Sequence, residues 1–78
     1  MIIISDKAGR EIFDIIGEYK TGIDDGFYTI EPNNQLNEKE TLDIFRYVYN
    51  NFESMIPIRI KNTFGGLSYF DYIKSQTN

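Results

Sequence analysis

Two adjacent carboxylates, Asp24 and Asp25 in the run IDDG, are the first place in this chain where residue types and spacing could support chemistry. A calcium loop needs oxygen ligands at alternate positions and a closing Glu, and the residues around this pair do not supply them. Asp beside Gly also makes local backbone hydrogen bonds that favour turns, so the pair reads as a polar turn. A glycosidase-type pair of acids would need a sugar-sized pocket, which a chain this small seldom builds. The run FGG, Phe64–Gly66, is glycine-rich but lacks the Lys and following Ser or Thr of a phosphate loop. The chain has no His and no Cys, which removes imidazole acid–base catalysis, thiol nucleophiles, disulfides and the common zinc sites. Its serines and threonines therefore have no imidazole to activate them, and Lys7, Lys20, Lys39, Lys61 and Lys74 read as solvent-facing. The expectation is a non-enzymatic protein with no catalytic residue, no metal site and no cofactor.

What remains is recognition. Tyr47 is the one large ring on the polar side of the main predicted helix, beside Asp43, Asn50 and Asn51. An exposed Tyr is a common anchor in protein interfaces, while the competing reading is a half-buried Tyr that covers the C-terminal tail. Tyr69 and Tyr72 are read as surface rings of that tail, with the same use. The residues expected to bind a partner are thus Asp24, Asp25, Tyr47, Tyr69 and Tyr72. Arg59, Lys61 and Lys74, with Tyr69, Phe70 and Tyr72, form a basic–aromatic group that suggests single-stranded nucleic acid as an alternative. Three bases make few phosphate contacts, and an acidic protein repels polyanions at long range, so nucleic acid is the weaker alternative.

Charge is distributed unevenly. The chain has 78 residues and a net charge of −4. Residues 1–31 carry −4, residues 32–55 carry −2 and residues 56–78 carry +2. Hydrophobic residues make up 41% and charged residues 26%, ordinary usage for a folded domain. The aromatic share of 15% is entirely Phe and Tyr; each ring can bury roughly 150–250 Å² and so enlarge a small core. The expectation is one α+β domain over residues 1–78, with a C-terminal segment over 67–78 whose last residues fray. MIII is too short for a signal-peptide apolar region or a membrane span, and the absence of disulfides favours a reducing interior. A cytoplasmic protein is expected.

The elements that must position these residues are read from pattern. IIIS and REIFDIIGEY, separated by DKAGR, predict a β-hairpin, with Phe13, Ile15 and Tyr19 on one face of its second strand and Ile12 and Ile16 on the other. Gly17 would mark a bulge. KTGIDDG then reads as a turn region, and FYTIEP as a third strand stopped by Pro32. These three strands would form an antiparallel meander. Asn37 with Glu40 three residues later predicts a capping box. Leu42, Ile44, Phe45, Val48, Tyr49, Phe52 and Met55 then share one arc of a helix that Pro57 ends. IPIRIK alternates as a fourth strand, reached by a crossover and so able to run parallel to the first or third. The resulting fold class is a two-layer α+β sandwich closed by a short C-terminal helix or strand, with the helix favoured and Ser68 as its cap. Leu67, Phe70 and Ile73 would cover the sheet face carrying Ile12 and Ile16. Left uncovered, that face would be a site for a partner or for a second copy of the chain.

Size, acidity and surplus Tyr lead to a protein-binding module as the expected function, by analogy with stoichiometric inhibitors, antitoxin or immunity proteins and phage-encoded modulators of host enzymes. Its acidic residues would steer it to a basic surface of a partner protein. A self-assembling structural subunit is a further alternative.

Overall fold

A computed structural model describes residues 4–52 and 57–76. The order is α1 (Asp6–Ile16), β1 (Tyr19–Asp24), β2 (Phe27–Pro32), α2 (Glu38–Asn51), β3 (Ile58–Ile60), a 3₁₀ turn (Phe64–Gly66) and α3 (Tyr69–Gln76). This is a small α+β fold, with a three-stranded sheet and three α-helices among the described residues.

The segment expected to form the second strand of a hairpin is instead α1. Ser5 caps it, accepting from the Ala8 N–H at 3.2 Å, and Asp6 sits in the first turn where the helix dipole favours an acid. Ala8, Ile12 and Ile16 recur every four residues and are the buried stripe. Gly17 is therefore a helix cap and not a bulge: its φ of 75° is left-handed, and its N–H donates to the Phe13 carbonyl at 2.8 Å. Ile12 and Ile16 belong to the main core, so no bare sheet face carries them. Phe13, expected on one strand face with Ile15 and Tyr19, lies on α1 and is 52% exposed. Of the expected first strand, IIIS, residues 2 and 3 lie outside the described residues, while Ile4 is a bend and Ser5 is the cap of α1, so the described half is not a strand.

The expected meander and four-strand count are corrected by the next segment. KTGIDDG is not all turn, because Tyr19–Asp24 pairs antiparallel with β2 through the full register from Tyr19↔Pro32 to Asp24↔Phe27. Only Asp25 and Gly26 form the loop, with φ of 52° and 81°. Two consecutive left-handed residues match the twist of a tight hairpin, which is why Asp-Gly suits it.

The main helix starts where the sequence predicts but ends at Asn51, with Phe52 an extended cap, short of the end expected at Pro57. Asn37 Oδ1 accepts from the Glu40 N–H at 2.8 Å, and Glu40 Oε1 accepts from the Asn37 N–H at 2.9 Å. Thr41, Ile44, Phe45 and Val48 form its buried side. The Phe52 N–H donates back to the Val48 carbonyl at 3.0 Å and closes the helix. Met55 and Ile56, read above as the last apolar residue of the helix and the first of the fourth strand, lie outside the described residues. β3 runs parallel to β2, with Tyr28↔Ile58 and Ile30↔Ile60, so α2 is the expected crossover. The sheet order is β1-β2-β3. One core joins Ile12 and Ile16 of α1, Tyr28 and Ile30 of β2, Ile44, Phe45 and Val48 of α2, Ile60 of β3 and Tyr69 of α3. Among the described residues, no helix is long and apolar enough to cross a membrane.

Candidate partner-binding groove

The C-terminal third is held by a polar knot. The Asn62 side chain donates to the Pro32 carbonyl at 2.6 Å, while the Leu36 N–H donates to the Asn62 carbonyl at 2.9 Å. Gln35 adds a bond to the Thr63 carbonyl at 2.9 Å. Thr41 Oγ1, fully buried on α2, accepts from the Phe64 N–H at 2.8 Å, and the Thr63 hydroxyl donates to the Leu67 carbonyl at 2.6 Å. Buried backbone groups in this connection are thereby satisfied, and the chain after β3 is pinned against the helix. Gly65 and Gly66, with φ of 61° and 68°, allow the sharp return into α3.

That return fixes which side of α3 faces inward. Tyr69 and Tyr72, three residues apart, pack on Phe45 with ring centroids 5.5 Å away in both cases, and they stack on each other at 6.3 Å. Tyr69 is 6% exposed, so its expected surface position is corrected. Burial first, then the neighbouring Tyr72 and Tyr49 hydroxyls, pushes its phenol up to about 12. Tyr72 is half-buried and edge-on to Tyr49 at 6.0 Å. Of the three side chains expected to cover the sheet face, Leu67 and Phe70 are 43% and 63% exposed, and Ile73 alone packs against the core. The helix begins at Tyr69, which places Leu67 outside it and turns Phe70 away from α2. Phe70 instead lies under the Lys74 ammonium at 5.4 Å, one turn further along.

Leu67 and Phe70 border a groove of about 620 Å³ whose other wall is β3. Phe27, Ile58, Arg59, Lys61 and Tyr69 contribute to its lining. Alternation along β2 and β3 puts Tyr28, Ile58, Ile30 and Ile60 toward the helices and Arg59 on the opposite face, where its guanidinium sits 4.1 Å from the Phe27 ring centroid. Arg59 and Lys61 line this groove together with Phe70, and Lys74 lies over the Phe70 ring. Phe27 was missed by sequence reasoning. Its signal was position: it opens β2 on the face opposite Tyr28.

The other expected contact residues are dispersed. Asp24 ends β1 and Asp25 occupies the hairpin loop, both exposed. Tyr47 is half-buried, and its hydroxyl donates to Glu11 Oε1 at 2.6 Å, tying α2 to α1. Burial first, then the Glu11 carboxylate, pushes this phenol up to about 12. The Phe52 ring meets it edge-on at 6.1 Å. No cluster of three or more His, Cys, Asp or Glu able to hold a metal ion occurs among the described residues. Comparison with known proteins gives no match, whether to protein-family models, to curated proteins or to solved structures.

Proposed function

We propose that this protein is a non-enzymatic binding module that acts by occupying another protein, in the manner of a stoichiometric inhibitor or modulator, and that the β3–α3 groove is its contact surface. The observation that carries this reading is the exposure of Leu67 and Phe70 on a groove rimmed by Arg59 and Lys61. An apolar centre with a charged rim is the usual anatomy of a protein contact, and a buried aromatic flanked by Arg is a usual hot spot. The matching partner segment presents an aliphatic or aromatic side chain with carboxylates beside it. The acidic hairpin residues Asp24 and Asp25 then serve orientation on approach and contribute little to the final contact.

A second reading has its own support. Arg59 over Phe27 and Lys74 over Phe70 pair cations with rings, the elements of a single-strand stacking platform. The overall charge of −4 opposes it.

One set of measurements separates them. Immobilised protein is exposed to native-host extract beside a Phe70→Glu variant, and gel mobility is measured with a single-stranded oligonucleotide at two salt concentrations. The protein-binding reading expects one protein retained at equal stoichiometry by the wild type, retention reduced at least about tenfold by the variant, and no shift of the oligonucleotide. A salt-sensitive shift lost in Arg59→Ala, with no protein retained, replaces it by the nucleic-acid reading.

A further inference from the structure

The outer edge of β1 is the longer of the two sheet edges, since β3 has three residues and β1 has six. Its hydrogen-bonding pattern follows from the turn. A two-residue loop makes its flanking residues, Asp24 and Phe27, a mutually bonded pair, and bonded pairs then recur at every second residue, Gly22 with Thr29 and Lys20 with Glu31. The Asn33 N–H donating to the Glu18 carbonyl at 2.9 Å continues the same parity. The N–H and C=O groups of Tyr19, Thr21 and Ile23 therefore point away from β2, and no backbone partner meets them among the described residues. The strand has no proline and no bulge to blunt this edge, and five of its six residues are exposed.

An edge of this kind pairs with another strand, and its own sequence selects which one. Antiparallel self-pairing has three registers that bring the outward-facing residues together over a useful length. Centring on Lys20 sets two lysines opposite each other. Centring on Thr21 sets Glu18 opposite Asp24 twice. Centring on Gly22 sets Lys20 opposite Asp24 twice and Thr21 opposite Ile23 twice. Opposite charges facing across strands stabilise pairing, and like charges oppose it. We propose that β1 pairs antiparallel with β1 of a second copy about a twofold axis at Gly22, joining two three-stranded sheets with Lys20 of each copy facing Asp24 of the other.

The other face of the strand agrees. Tyr19, Thr21 and Ile23 share the side of the sheet that packs on the helices, and Ile23 is 60% exposed beside a groove of about 750 Å³ also lined by Phe13. A twofold axis perpendicular to the sheet keeps both α1 helices on that side. The two Ile23 side chains become diagonal neighbours and lose exposed apolar surface. Gly22 at the axis offers no side chain to obstruct the approach, and a Cβ there would meet nothing within 4 Å in its own chain. A segment of another protein could use the same edge, but the charge match belongs to this strand alone. This surface is separate from the β3–α3 groove, so either proposal can fail without the other.

Sedimentation equilibrium of the full chain over a wide concentration range tests it, with circular dichroism confirming the fold of each variant. The wild type is expected to form dimers reversibly. Lys20→Asp and Asp24→Lys should each weaken the dimer about tenfold, and the double variant carrying both should recover to within about threefold. Thr21→Pro removes an N–H that does not bond β2, so it should abolish dimers and leave the monomer folded. A chain that stays monomeric at all concentrations overturns the proposal. So does a dimer that the charge swap fails to restore, or one lost only on Phe70→Glu.

Discussion

At the scale of single residues, two of the tyrosines expected to meet a partner are committed inside the fold, one by its hydroxyl and one by its ring. Tyr47 looked like a contact anchor because it stands on the polar side of α2, yet its hydroxyl is committed to Glu11 across the helix pair. Tyr69 is committed to Phe45 and Tyr72. Both phenols are held up to about 12, above their ordinary value of 10.0. A group whose folded pKa is raised contributes stability that is complete below the unfolded pKa and is lost as pH rises through the folded value. Stability should therefore fall between pH 10 and about 12. Following unfolding midpoints in denaturant across that range checks it, and Tyr47→Phe should flatten the slope. At neutral pH the same substitution should cost about 1.5–3 kcal/mol, the worth of a hydrogen bond to a charged group. Thr29 is the opposite case: it is 7% exposed, and its Oγ1 has no hydrogen-bond partner among the described residues. Thr29→Val should raise stability by roughly 1 kcal/mol, measured the same way, because it removes an unsatisfied buried group at constant shape.

At the scale of elements, α1 is where strand and helix readings diverge, and its cap distinguishes them. Gly17 has φ 75° and ψ −156°, a region essentially restricted to glycine. Gly17→Ala should cost about 1–3 kcal/mol in a thermal or denaturant melt, whereas Gly22→Ala on the exposed strand should change stability by less than about 0.5 kcal/mol. α2 was legible because two independent signals agreed, the reciprocal Asn37–Glu40 cap and an apolar arc at 3.6-residue spacing. α1 was not, because REIFDII is rich in β-branched residues and its buried stripe is only Ala8, Ile12 and Ile16. Gly9 inside it mimicked a turn; the Tyr19 hydroxyl donates to the Gly9 carbonyl at 3.2 Å and would crowd any Cβ there. β1 carried no apolar alternation, since an edge strand with five exposed residues need not alternate. Its only signal was Asp25–Gly26. For α3 the inward face follows from where the helix starts, and that depends on Thr63 and Thr41 bonding the preceding turn.

At the scale of the whole molecule, the sign change of charge along the chain becomes spatial. The last stretch, at +2, contributes Arg59 and Lys61 to the groove lining and Lys74 to the Phe70 ring beside it, and no acid is among the residues that line the groove. The basic–aromatic cluster was legible in composition. Its geometry was not, because the choice between Tyr69 and Phe70 for burial depends on helix phase. The proposed function stands or falls with a partner protein sitting in the groove between β3 and α3. Once the partner is recovered, NMR titration of labelled protein with it reads the contact residue by residue. The largest shift changes are expected at Phe27, Arg59, Lys61, Leu67 and Phe70, with Tyr47 nearly unmoved. Largest changes along α1 or at Lys20 and Thr21 of β1, with Leu67 and Phe70 unaffected, would overturn the groove as the contact surface.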